Sequence, residues 1–143
     1  MVSTSPSVLG IDPGRSKVGL AVVQRDGRVL YRAVVALDEF SRELETLYQR
    51  FHPLRLVVGS GTGFRMLEPL LHDTLPDVPV QVVNEAYTSE EARRRYLREN
   101  PPRGWRRLIP RWLRTPEEPY DDYVAIILAE RYWREVAQGE VQP

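Results

Sequence analysis

Cysteine is absent from the 143 residues. That excludes disulfide scaffolds, thiolate zinc sites and cysteine nucleophiles together. Histidine occurs twice, too rarely for an imidazole metal cage. No stretch approaches the roughly 18–20 consecutive apolar residues that span a bilayer. The opening Met1-Val-Ser-Thr-Ser-Pro-Ser7 lacks the basic patch and apolar run of a secretory signal, so the expectation is a cytoplasmic protein without membrane contact. Lysine is nearly missing as well: Lys17 stands alone beside 19 arginines. What is present is enough apolar sequence, 42%, to bury an ordinary core, which excludes a wholly disordered chain.

The net charge of zero hides a strong asymmetry. Residues 93–114 hold nine arginines and a single acid, Glu99, for +8, so the remainder carries −8. Polarity of that size in a small chain points to a localised anionic partner. Arginine forks onto phosphate and stacks on bases. Arg93, Arg94 and Arg98 fall on a predicted helix, and Arg103, Arg106, Arg107 and Arg111 interleave with Trp105 and Trp112 in a Pro/Arg-rich insertion at about 100–118. Together with Arg15 and Lys17 they are the candidate nucleic-acid contacts, with solvated surface charge as the alternative; for each Trp, packing against the core is the better reading.

Periodicity supplies the elements. Val8–Asp12 is an apolar run halted by Pro13-Gly14, and Val18–Gln24 and Val29–Ala36 flank an Asp26-Gly27 turn, so three strands come first, joined by hairpins. Phe40, Leu44, Leu47 and Phe51 recur at helical spacing over 38–51. Leu54–Val58 and Val80–Val83 read as strands around a helix of about 65–74. Thr88-Ser-Glu-Glu91 has capping-box spacing and predicts a helix to about Asn100, ended by Pro101-Pro102. Asp121–Ala137 is the last helix. The order predicts an α/β domain over 7–138, with a five-stranded mixed sheet, helices on both faces and a loose tail at 1–6.

In open α/β sheets, sites gather beyond the carboxyl ends of parallel strands. Asp12 closes the first strand and Glu85 follows the fifth. Asp121 and Asp122 open the last helix, where acids also favour the helix dipole; their side chains diverge by about 100°, so one of them is expected to face the site. Acids from separate segments on one rim form the oxygen-only set that Mg²⁺ (or Mn²⁺) takes. Gly59-Ser-Gly-Thr-Gly63 reads either as a plain βα turn or as a phosphate contact.

Leu9-Gly-Ile-Asp-Pro-Gly-Arg-Ser-Lys-Val-Gly-Leu-Ala-Val22 resembles the opening of the YqgF/RuvX family, ribonuclease H-like proteins regarded as Holliday junction resolvases and pre-16S rRNA-processing nucleases. Val83-Asn-Glu-Ala-Tyr-Thr-Ser-Glu-Glu-Ala92 and Asp121-Asp-Tyr-Val-Ala-Ile-Ile-Leu128 are similar to two further family segments in the same order. The resemblance implies a ribonuclease H-like fold and a metal-dependent endonuclease. Asp12, Glu85 and one of Asp121 and Asp122 would be its catalytic and metal-ligating acids. The substrate would be rRNA precursor or branched DNA, cut to leave a 3′-hydroxyl and a 5′-phosphate, and the protein would be a monomer or homodimer. Asn84 and Ala86 depart from the Asp and Arg usual in that family. This opens a second reading, a catalytically weak nucleic-acid-binding module in ribosome assembly.

Overall fold

The structure, a computed structural model, describes residues 5–101, 104–108 and 120–141, the side chains of Thr62, Trp105 and Arg106 excepted. Strands β1 (Ser7–Pro13), β2 (Lys17–Gln24) and β3 (Val29–Ala36) form an antiparallel meander. Its first turn is closed by the Gly14 N–H donating to the Lys17 carbonyl, and its second places Gly27 at φ 93°, a left-handed position glycine takes without strain. Helix α1 (Phe40–Phe51) leads to β4 (Leu56–Gly59), α2 (Thr62–Thr74), β5 (Val80–Val83), α3 (Thr88–Glu99) and α4 (Asp121–Ala137). The sheet order is β3-β2-β1-β4-β5, with β1, β4 and β5 parallel. The expected five-stranded mixed sheet is therefore observed, and helices cover both its faces.

Alternation along β1 divides the core. Leu9 and Ile11 join Leu20, Val22, Leu56 and Val58 beneath Phe40, Leu44 and Leu47 of α1 and Leu67 and Leu71 of α2. Val8, Ala21, Val23 and Val57 face the other way, under Val124–Ala129 and Tyr132 of α4 and Ala92 of α3. On this second side glycine lets helix backbone lie against strand backbone: a Cβ on Gly10 would collide with the Ala125 carbonyl oxygen. The far end of α4 is tied down by Trp133, whose buried indole N–H donates to the Val23 carbonyl at 3.0 Å.

Several predicted boundaries shift. A 3-10 turn at Leu37–Glu39 precedes α1, so the helix starts two residues later than the apolar spacing suggests. Helix α2 begins at Thr62 rather than 65, and β4 at Leu56 rather than Leu54. Within the expected arm, Gly104–Leu108 forms a short 3-10 helix. The capping box does not form. Tyr87, at φ 62°, is the N-cap of α3, and the buried Thr88 hydroxyl donates backward to the Glu85 carbonyl at 2.8 Å. Among the described residues no helix is long and apolar enough to cross a membrane.

Candidate active site

The three parallel strands end on one rim. Asp12 lies two residues beyond Gly10 and shares its α4-facing side of β1. Its partner across the antiparallel ladder is Gly19. A Cβ on Gly19 would run into the Asp121 backbone and stand 2.9 Å from its Cβ. Glycine at this position therefore lets the first turn of α4 settle over the Asp12–Gly19 pair, and Asp121 arrives beside Asp12.

Glu85 reaches the same rim from beyond β5. A Cβ on Gly59 would stand 2.7 Å from its Oε2, and one on Gly61 would collide with Oε1. The glycine-rich turn after β4 thus makes room for a carboxylate. The loop carrying Glu85 is held on several sides. Ser60 N–H donates to the Val83 carbonyl, Arg131 donates to the Asn84 carbonyl at 2.8 Å, and Thr88 binds the Glu85 carbonyl. Asn84 acts locally. Its Oδ1 accepts from the Ala86 N–H at 2.8 Å, an Asx turn that shapes the approach to Glu85.

The electrostatics agree with this placement. Burial first, then the negative charges of Asp121 and Glu85, raise Asp12 from 3.8 to about 7. Asp121 is also raised, by burial and by Asp122, and opposed by the positive charge of Lys17. Asp122 behaves differently. Burial raises it, but Arg32 and backbone N–H groups oppose the rise; its Oδ2 lies 3.6 Å from Arg32 Nη1, and its Oδ1 accepts from the Tyr123 N–H at 3.0 Å. Of the two adjoining acids, Asp121 is the one coupled to Asp12, while Asp122 is turned to Arg32. Sequence alone does not single out Arg32, because only a pairing between β3 and α4 reveals it.

The donor chemistry of Asp12, Glu85 and Asp121 fits a hard divalent cation. All donors are oxygens, and Asp12 is raised toward neutrality by burial first and then by the negative charges of Asp121 and Glu85, which such an ion would compensate. Among the described residues, however, no three acidic, histidine or cysteine side chains are drawn together tightly enough to form a ready ligand cage.

The basic candidates separate as well. Arg15 and Lys17 are exposed on the β1–β2 turn beside the acids. Arg94 and Arg98 line a groove of about 360 Å³ between α3 and α4, shared with Arg134. Arg95 is committed inside that groove. Its Nη1 donates to both carboxylate oxygens of Glu130, at 2.9 and 3.1 Å, and its Nε to Glu99. Arg93 is half-buried, and both Arg93 and the exposed Arg107 interact within the protein. Arg103, Arg111 and Trp112, with the side chains of Trp105 and Arg106, lie outside the described residues.

No family profile and no curated protein matches the sequence. Solved structures do match. RuvC of Thermus thermophilus in complex with a Holliday junction substrate superposes with a TM-score of 0.63 at 18% identity, over 94% of this chain and 97% of that one. A second Thermus thermophilus RuvC structure gives 0.63 at 17% identity, over 93% and 96%. With the strand order above, these likenesses establish a ribonuclease H-like fold.

Proposed function

We propose that this chain is a divalent-metal-dependent nuclease acting on branched or otherwise structured nucleic acid. The observation that carries the reading is the convergence of Asp121 and Glu85 on Asp12 at the carboxyl ends of the parallel strands. The RuvC likeness adds support, since that protein holds a Holliday junction on the same fold.

Asp12, Glu85 and Asp121 would hold Mg²⁺ or Mn²⁺. Bound there, the ion would supply Lewis acidity toward water and the scissile phosphate. The chain's own residues do the rest. Asp12 must be ionised to serve, so protons compete with the metal for this carboxylate and activity falls as pH is lowered. Gly19 and the Gly59–Gly61 turn fix the positions of Asp121 and Glu85. Lys17, whose charge acts on Asp121, and Arg15 on the same turn would meet the phosphate being cut. Arg94 and Arg98, which line the groove between α3 and α4, would hold a backbone farther along α3.

A second reading, a binding module without turnover, is favoured by the absence of a ready ligand cage among the described residues. One panel decides between the two: four-way junction DNA, linear duplex and rRNA precursor, each with Mg²⁺ or Mn²⁺, for the native chain and Asp12→Asn. The nuclease reading expects cleavage that drops by at least about 10³-fold in the variant while binding persists. Cleavage untouched by the substitution discards the mechanism, and binding without cleavage leaves the module.

A further inference from the structure

Two aspartates stand side by side at the start of α4, and on a helix their side chains diverge by about 100°. Both carboxylates are half-buried close to other acids, so something must decide which of them enters the rim. We propose that Arg32 is that selector, a positioning residue that takes Asp122 as its counter-ion so that Asp121 alone is presented to Asp12.

The geometry is specific. Arg32 lies on β3 opposite Ala21, which in turn lies opposite Gly10, so its side chain rises on the face covered by α4. Its Nη1 is 3.6 Å from Asp122 Oδ2, with the Asp122 side chain only 14% exposed. Its guanidinium also sits 4.6 Å above the ring of Tyr123, which is itself 3% exposed. That ring is itself packed and bonded: Tyr96 stands edge-on against it at 5.7 Å, and its hydroxyl accepts from Asn100 Nδ2 at 3.3 Å. A surface ion pair between two long side chains is weak because both must be ordered to form it. Here the guanidinium is already ordered by a fixed aromatic face, and Asp122 is further held by the Tyr123 N–H. Arginine suits this post better than lysine, since its planar cation stacks on the ring while its edge faces the carboxylate. With Arg32 removed, Asp122 loses its counter-ion one residue from Asp121 and can compete for the same ion.

The inference rests on the metal-dependent reading of the rim, and its test reads metal binding rather than cleavage. Mn²⁺ affinity is measured by calorimetry for the native chain, Asp121→Asn and Asp122→Asn, each with Arg32 or with Arg32→Met. Methionine keeps an unbranched stem over Tyr123 and removes the charge; Arg32→Gln serves in the same comparison should circular dichroism show the methionine chain unfolded. With Arg32 present, Asp121→Asn is expected to weaken Mn²⁺ binding by about tenfold or more, and Asp122→Asn by several-fold less. Without Arg32 the Asp121→Asn penalty is expected to shrink to about threefold, because Asp122 substitutes. A merely structural arginine would lower stability and leave that penalty unchanged, and this result overturns the proposal. Equal penalties for the two asparagines in the native background overturn it too. A native chain that binds no Mn²⁺ removes the metal-dependent reading and the selector with it.

Discussion

The two faces of the sheet are covered by different means. Under α1 and α2, large side chains meet large side chains: Leu9, Ile11, Leu20 and Val58 against Phe40, Leu44, Leu47, Leu67 and Leu71. Under α4, glycines and alanines bring backbone to backbone at Gly10–Ala125 and Gly19–Asp121. The first face holds through apolar burial, which tolerates exchange between hydrophobes of similar volume. The second fixes a helix terminus in place, and every candidate catalytic acid lies on that side. Stability is shared between the faces, whereas positioning belongs to one of them.

The largest effect should come from breaking the second face at its tightest point. Gly19→Val drives a side chain into the Asp121 backbone. Overpacking should cost about 1–3 kcal/mol or more, and displacing Asp121 should lower cleavage by more than about 100-fold even well below the melting temperature. Leu44→Ala, on the other face, removes a fully buried side chain. It should cost about 2–4 kcal/mol yet leave the cleavage rate per folded molecule near native. Denaturant unfolding and cleavage assays on both variants test the contrast, and equal activity losses would erase it.

A smaller effect, with the opposite sign in stability, should follow from Asp12. Its carboxyl rises from 3.8 to about 7 on folding, so between these pH values the folded chain keeps a proton that the unfolded chain has released. Stability therefore declines as pH climbs through that window and stays reduced above it. Asp12→Asn cannot ionise and escapes the penalty. Without divalent ions at pH 8 the variant should melt about 5 °C above the native chain, and the gap should close at pH 3. Mn²⁺ should stabilise the native chain and not the variant. Identical melting curves at both pH values would show that the α4 face stores no electrostatic strain.

The sequence discloses whatever depends on neighbours along the chain. The hairpin at Asp26-Gly27, the stripe Phe40-Leu44-Leu47 and the fifth strand just before Glu85 are local patterns that the folded structure reproduces, while the first strand runs one residue past Asp12, to Pro13. Pairings between distant segments stay hidden. Thr88 reads as a cap because its spacing to Glu91 is right, but Tyr87 takes the N-cap position, and the Glu91 N–H donates to the Tyr87 carbonyl rather than to the Thr88 hydroxyl. The turn at Gly59–Gly63 reads as a phosphate cradle or a plain turn because nothing nearby shows that Glu85, more than twenty residues later, packs against it. The choice between Asp121 and Asp122 needs Arg32, on a strand with no local relation to α4.

The smallest effect separates arginines that look alike in sequence. Arg95 is bonded to Glu130 and Glu99 within the α3–α4 layer, so its charge is already engaged inside the protein. Arg94 and Arg98, its neighbours on the helix, line the same groove. Each phosphate neutralised by an arginine adds about 0.9 to the slope of binding affinity against salt on a logarithmic scale. Arg94→Ala with Arg98→Ala should therefore weaken binding to structured nucleic acid and flatten that slope by about 1–2, with thermal stability hardly moved. Arg95→Ala should do the reverse, costing about 1 kcal/mol or less of stability through its partly exposed ion pairs and leaving the slope unchanged. Fluorescence anisotropy between about 50 and 200 mM salt, the range over which such contacts are released, reads both. A slope that flattens equally in both chains would mean that the Arg95–Glu130 pair opens to meet the nucleic acid, and that α3 binds as one surface.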